Sequence, residues 1–372
     1  MQLNYSPGLD GVIAAETKIS LLDTVDSQIV IRGYDLIELS KENSYLDIVS
    51  LLLHSELPTV EQSKALEEKL KSSYVIPNEI LQIFTLLNKN THPMDGLRTG
   101  LSALAGFDDD CNDRSSEANL NRAYKLLGNL PNIVANSYRV LNNQEIVQPD
   151  KNLSYSANFY YMITGKVPSI LEEEIFDQSL VLYSEHEMPN STFTARVIAS
   201  TQSDLYGALT GGVSSLKGNL HGGANEAVMY MLLEARTVEG FEQLLYDKLK
   251  NKEKIMGFGH RVYMKKMDPR ALIMKEALRK LCILQGDDLL YRMCEAGERI
   301  MESEKGLYPN LDYYAAPVYY MLGLPIELYT PIFFSARTAG LCAHVIEQHE
   351  NNRLFRPRVN YTGERHSVIQ KS

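Results

Sequence analysis

Residues 171–187, LEEEIFDQSLVLYSEHE, decide the fold class. Ile175, Ser179, Leu182 and His186 recur at helical spacing along one face with charged residues opposite, the pattern of an amphipathic helix, and Pro189 stops it. Asn190 and Ser191 then offer side-chain caps for one long helix through STFTARVIASTQSDLYGALTGGVSSLK. Working outward, further helices read at about 223–236, 268–284, 287–304, 311–322 and 328–350, with Asp268 as cap and Pro269 in the first helical position of the second. Strand signals are few. The best is a short hairpin over residues 17–33, around TKISLLD and SQIVIRG, so alternating strand–helix architecture has little support. The expected class is all-α. With no internal repeat, low-complexity tract or long Pro/Gly/Ser linker, any domains are woven together rather than strung out.

The chain has 372 residues, 44% hydrophobic and 23% charged, enough apolar mass for a large core or two packed domains, and this excludes disorder and collagen-like structure. Its net charge of −10 argues against nucleic acid or an anionic membrane as partner. Four scattered cysteines, Cys111, Cys282, Cys294 and Cys342, form no CxxC pair and fit unpaired thiols in a reducing compartment. MQLNYSPGLDGVIAAE has no basic stretch followed by an apolar one, and the most apolar segment, 317–334, is broken by Gly323, Pro325, Glu327 and Pro331. A cytoplasmic protein is the expectation.

Charge is unevenly spread. From Asp247 to Arg270 eight basic side chains face three acidic ones, a net +5 on an otherwise acidic chain. This segment contains Met256-Gly257-Phe258-Gly259-His260 and could seat a phosphate-bearing ligand; a solvated lysine-rich helix end is the competing reading. His221 lies in NLHGGANE, where paired glycines ahead of a helix allow close backbone approach to a ligand. For His221, His260 and His186 alike, the alternative is a buried structural histidine. No HExxH-type pair exists, and His344 and His349 are five apart, so no metal is expected. Asp312 begins a helix in apolar surroundings, where a carboxyl's proton affinity can move in either direction, or it serves only as a helix-terminal charge. Arg337 sits inside an apolar helix and needs an anion, either an internal carboxylate or a substrate. Gly257-Phe258-Gly259 carries only the first two glycines of a dinucleotide fingerprint, and Gly165-Lys166 is not a Walker A motif.

Taken in order, SEHEMPNSTFTAR, LKGNLHGGANE, KIMGFGHRVY, MDPRA, YPNLDYYAA, SARTAG and NNRLFRPR resemble the citrate synthase family over residues 7–363. YSPGLDGVIAAE and THPMDGLRTGLSALAG bring the chain nearest to the family's short Gram-positive 2-methylcitrate-forming members. The resemblance implies condensation of propionyl-CoA, and also acetyl-CoA, with oxaloacetate, followed by thioester hydrolysis. It implies Asp312 as the base, His221 as donor to the enol oxygen, and His260 as the group that polarises the oxaloacetate carbonyl and protonates the alkoxide. His186, Arg270, Arg337 and Arg356 match oxaloacetate contacts, and Ile255, Met256, Gly257, Phe258 and Gly259 match the loop around the CoA adenine. A large helical domain, 1–219 and 321–372, closed over by a smaller one, 220–320, follows from the same pattern. So does a homodimer in which Arg356 reaches the neighbouring subunit's site. No cofactor is expected, acyl-CoA being a substrate. Between His260 and Arg270 the chain runs one residue longer than most relatives. A dedicated citrate synthase, a nicotinamide oxidoreductase and a non-catalytic helical assembly protein are the alternatives, the last disfavoured by arginines inside apolar helices.

Overall fold

The computed structural model of the protein describes residues 5–23, 28–259 and 266–364. Sixteen α-helices occupy most of them, so the all-α expectation holds. The predicted hairpin forms from Ser20–Asp23 and Gln28–Ile31, antiparallel, with Tyr34–Asp35 as a third short strand beside the second. All four cysteines are free thiols. No helix among the described residues is long and apolar enough to cross a membrane.

The helix Tyr329–Glu350 is the axis of the molecule. It packs against Tyr45–His54, Ser116–Leu141, Ile170–Tyr183, Asn190–Ser200 and Leu205–Leu216, so nearly every side is covered. Its sequence suits this: Ala336, Ala339 and Gly340 admit close neighbours, while Phe334, Leu341 and Val345 fill the gaps between them. Five helices, Ala224–Ala235, Val238–Lys250, Pro269–Gln285, Leu289–Lys305 and Leu311–Met321, pack chiefly on one another. Their apolar side chains continue into the same core as the rest.

Three expectations are corrected. The helix that opens the 171–187 stretch runs Ile170–Tyr183, so His186 lies in the connection after it and not on its apolar face. The single helix expected from 190 to 217 is two, Asn190–Ser200 and Leu205–Leu216. The chain turns at Gln202, whose φ is +63°, and Asp204 then caps the second helix by accepting from the Gly207 N–H at 2.8 Å. Asn190 is not a cap either. Pro189 holds that position, and the Asn190 side chain accepts from the Ser215 hydroxyl at 2.6 Å, tying the two helices together.

Candidate active site

The connection Ser184–Glu185–His186 is fully packed. Glu185 has no exposed surface; it accepts from the Ser20 hydroxyl at 2.8 Å and meets Nε2 of the equally buried His344 at 3.1 Å. Arg196 Nη1 lies 3.0 Å from His344 Nδ1. A guanidinium only donates, so Nδ1 accepts and Nε2 carries the proton toward Glu185. This network pins the backbone of buried His186. Just before it, the Tyr183 carbonyl accepts from Arg337 Nε at 2.6 Å, and the guanidinium stacks over Phe333 with its carbon 4.9 Å from the ring centre.

Arg337 is 2% exposed and has no carboxylate within ion-pair distance among the described residues. Burial lowers its pKa to about 10, opposed first by the negative charge of Glu185, so it stays charged at neutral pH. Of the two partners its sequence position called for, an internal carboxylate or a substrate, the described residues provide no direct internal pair. Arg270 differs. It is held by the buried Asp268, with Nε 3.1 Å from one carboxylate oxygen and Nη2 2.8 Å from the other. Asp268 also caps the helix that begins at Pro269, by accepting from the Arg270 N–H at 3.0 Å.

His221 sits in the turn ahead of Ala224–Ala235. Gly222 is needed there, since a Cβ on it would stand 2.4 Å from the Leu216 carbonyl oxygen. The imidazole Nε2 lies 3.2 Å from the Ser191 main-chain nitrogen and 2.9 Å from its hydroxyl. Burial, then the charge of Arg337, pushes its pKa down to about 4. The ring is therefore neutral under ordinary conditions.

Asp312 is the second residue of Leu311–Met321, and Asn310 caps that helix by accepting from the Asp312 N–H at 3.1 Å. Burial raises its pKa to about 6, against a hydrogen bond from Tyr183 and the charges of Arg270 and Arg337, while Asp268 pushes the same way as burial. The predicted CoA loop is stitched to the start of this helix. Asn310 N–H donates to the Gly257 carbonyl at 2.9 Å, Gly259 N–H to the Tyr308 carbonyl at 2.9 Å, and the Phe258 and Tyr313 rings lie 4.4 Å apart. Ile255 and Gly257 are buried, while Met256, Phe258 and Gly259 are partly exposed.

The structure thus brings Asp312, Arg270 and Arg337 within electrostatic reach of one another, and His221 within reach of Arg337. Arg356 is not brought to them in this chain. It is exposed on the extended segment after Glu350 and, among the described residues, donates to the Pro357 carbonyl at 3.1 Å. His260 lies outside the described residues. Tyr183, Ser191, Glu185 and Asp268 were missed as site residues by sequence reasoning. Asp268 alone had a usable signal, since an Asp two positions before an expected buried arginine can pair with it as well as cap the helix.

A neutral histidine, a carboxylate of raised basicity and two buried guanidiniums, set on an all-helical scaffold, define an acid–base enzyme for an anionic substrate. Residues 8–358 match the family described as citrate synthase, C-terminal domain, and the chain belongs to the citrate synthase family. It is 72% identical to the citrate/2-methylcitrate synthase of Bacillus subtilis (strain 168), over 98% of each chain. It is 39% identical to the 2-methylcitrate synthase of Shewanella oneidensis, over 96% of this chain and 94% of that one. Citrate synthase from Thermoplasma acidophilum, solved as a ternary complex with carboxymethyl coenzyme A and oxaloacetate, superposes with a TM-score of 0.92 at 30% identity and covers 98% of both chains.

Proposed function

We propose that this chain condenses propionyl-CoA with oxaloacetate and then hydrolyses the resulting thioester, water adding to the acyl carbon as the C–S bond breaks, to give 2-methylcitrate and CoA, and that it accepts acetyl-CoA to give citrate in the same way. The carrying observation is the setting of Asp312, a carboxylate made more basic than an ordinary aspartate by burial while the Tyr183 hydroxyl at 2.8 Å and the charges of Arg270 and Arg337 favour its ionised form. A thioester α-proton is a very weak acid, so its removal needs such a base together with stabilisation of the developing enolate. Asp312 takes the proton. His221, with Nε2 occupied by Ser191, presents Nδ1–H to the thioester oxygen. In the role the family resemblance gives it, His260 protonates the new alkoxide. Arg270, Arg337 and His186 hold the oxaloacetate carboxylates, guanidinium against carboxylate being the strongest neutral-pH pairing available.

The helices of 220–320 form the smaller domain and close over the larger one, 1–219 and 321–372, when oxaloacetate links Arg270 to Arg337. Ile255–Gly259 receive the CoA adenine, and the exposed lysines Lys250, Lys252 and Lys254 offset phosphate charge. Arg356 completes the site of a second subunit in a homodimer. Its segment is rooted for this by the Phe355 N–H donating to the Ser200 hydroxyl at 3.2 Å and by the Phe193–Phe355 ring contact at 5.6 Å. The enzyme works in the cytoplasm, in propionate use and beside the tricarboxylic acid cycle, and needs neither metal nor cofactor.

One methylene changes pocket binding by only about 1–3 kcal/mol, so both acyl-CoAs should turn over. Steady-state kinetics with oxaloacetate and each acyl-CoA test the reading. A higher kcat/KM for propionyl-CoA supports it; a clear preference for acetyl-CoA makes the chain a dedicated citrate synthase. Mixing inactive Arg356→Ala and Asp312→Asn subunits tests the dimer, because exchange regenerates one intact site. No recovery despite demonstrated exchange would place Arg356 in its own subunit's site.

A further inference from the structure

We propose that Tyr183 is a positioning residue for the condensation, serving the base through its side chain and the oxaloacetate arginine through its main chain, so that the two services are separable. This rests on the function proposed above. Tyr183 is the last residue of Ile170–Tyr183 and is 1% exposed. Its hydroxyl lies 2.8 Å from Asp312 Oδ1, and its carbonyl oxygen lies 2.6 Å from Arg337 Nε. One residue therefore touches the base and a substrate-binding guanidinium by two different groups.

The direction of each bond is fixed. An ionised carboxylate only accepts, so the phenol donates; a guanidinium only donates, so the carbonyl accepts. With Oδ1 engaged, Oδ2 is the oxygen left to receive the α-proton. The ring cannot swing away, because it packs 4.6 Å from Phe333 and 6.4 Å from Tyr319, centre to centre. Phe333 in turn carries the Arg337 guanidinium on its face. Base, tyrosine, phenylalanine and arginine form one contiguous stack across helices Ile170–Tyr183, Leu311–Met321 and Tyr329–Glu350.

The chemistry explains why a donor belongs here. A buried carboxylate is a stronger base, but too much burial leaves it protonated at neutral pH and useless for abstraction. Among the described residues, the charged groups acting on Asp312 are Arg270 and Asp268 from the start of Pro269–Gln285, and Arg337 from the central helix. Arg270 is neutralised by Asp268 and Arg337 is committed to oxaloacetate in the working complex. The Tyr183 hydroxyl is the neutral donor that favours the ionised base without adding charge that would compete for the substrate carboxylates.

The test is Tyr183→Phe in the full-length enzyme. It keeps the ring and the carbonyl and deletes only the donor. Expected are a kcat lower by about 10- to 100-fold and an acid limb of the kcat–pH profile moved up by about one pH unit. The oxaloacetate KM should stay within about twofold, because the carbonyl still holds Arg337. A wild-type pH profile, or an oxaloacetate KM that rises as far as kcat falls, overturns the inference and leaves Tyr183 a packing residue. Asp312→Asn run in parallel separates the two claims. Substantial activity in that variant refutes the proposed function itself; an inactive Asp312→Asn beside a Tyr183→Phe enzyme of unshifted profile refutes only the role of Tyr183.

Discussion

The Nε2 atom of His221 accepts a hydrogen bond from the main-chain N–H of Ser191, the second residue of Asn190–Ser200, at 3.2 Å. A main-chain nitrogen has no lone pair to offer, so this contact fixes the tautomer: the proton of the neutral ring is on Nδ1. A helix N-terminus also disfavours an imidazolium beside it. Nitrogen-15 NMR should therefore show His221 neutral with a protonated Nδ1 down to about pH 5, in keeping with a pKa near 4. An imidazolium at pH 6 would contradict the assignment. Replacing His221 by Ala should lower kcat by about 100- to 1000-fold, the usual cost of removing one donor to a developing oxyanion.

His221 and Asp312 pull stability in opposite directions as pH falls. His221 has a folded pKa near 4, below its ordinary value of 6.5, so the unfolded chain binds more protons between those limits and stability is lost as pH drops through them. Asp312 has a folded pKa near 6, above its ordinary 3.8, so here the folded protein binds more protons and stability is gained over that window. Between pH 6 and 4 the two contributions oppose each other. Asp312→Asn should therefore lose stability more steeply than wild type on acidification, by up to about 1.4 kcal/mol per pH unit, while His221→Asn should lose it less steeply. Thermal denaturation from pH 4 to 7 reads both slopes, and parallel curves for all three proteins would disprove the pairing.

Arg337 offers a cleaner separation of binding from folding. Its burial without a carboxylate at contact distance among the described residues is unfavourable, yet removing it leaves Glu185 and the Tyr183 carbonyl without its charge. These effects oppose, so Arg337→Leu should change the stability of the unliganded protein by no more than about 1 kcal/mol. Oxaloacetate affinity should fall at least about 100-fold, equivalent to about 3 kcal/mol. Calorimetry with and without oxaloacetate decides it: the wild type should show a ligand-induced rise in Tm that the variant lacks.

How much of this was readable beforehand depends on how local the signal is. The start of the helix bearing Asp312 is legible because an acidic side chain stands at the head of an apolar run, whereas the Asn310 cap emerges only in the structure. The hairpin near residue 20 could be read from alternation. The break after Ser200 was missed although Asp204 is a sound cap, because the apolar period runs across it undisturbed. The sequence puts His186 on a helix face for the same reason: the spacing of four, three and four residues through Ile175, Ser179, Leu182 and His186 continues past Tyr183, where the helix has already ended. The role of Tyr183 toward Arg337 left no trace at all, since it is a main-chain carbonyl reaching a residue 154 positions away. Glu185 and His344 are likewise 159 apart, a pairing that only the central helix creates.

Gly257 links the proposed CoA loop to the base, and its replacement gives the sharpest local test. Its φ is +87°, a region costly for any residue with a side chain, and a Cβ there would stand 2.7 Å from Val228 Cγ2 and 2.9 Å from Tyr313 Cδ2. Neither neighbour can yield easily. Val228 is fully buried, and Tyr313 is fixed by its hydroxyl donating to the Cys294 carbonyl at 2.9 Å. The loop itself must move, which stretches the bond from Asn310 N–H to the Gly257 carbonyl. Asn310 caps the helix on which Asp312 is second, so displacement of the loop reaches the base directly. Gly257→Ala should cost about 2–4 kcal/mol of stability and lower kcat together with acyl-CoA affinity, while oxaloacetate binding, which depends on Arg337 and its carbonyl partner, changes little. Gly259→Ala is the control: its φ is +76° but its nearest neighbour, Leu307 Cδ2, would be at an ordinary 3.5 Å. It should show the backbone penalty of about 1–2 kcal/mol with a much smaller effect on turnover. Equal kinetic damage from both substitutions would mean that backbone strain, and not the contact with Tyr313, connects this loop to the chemistry.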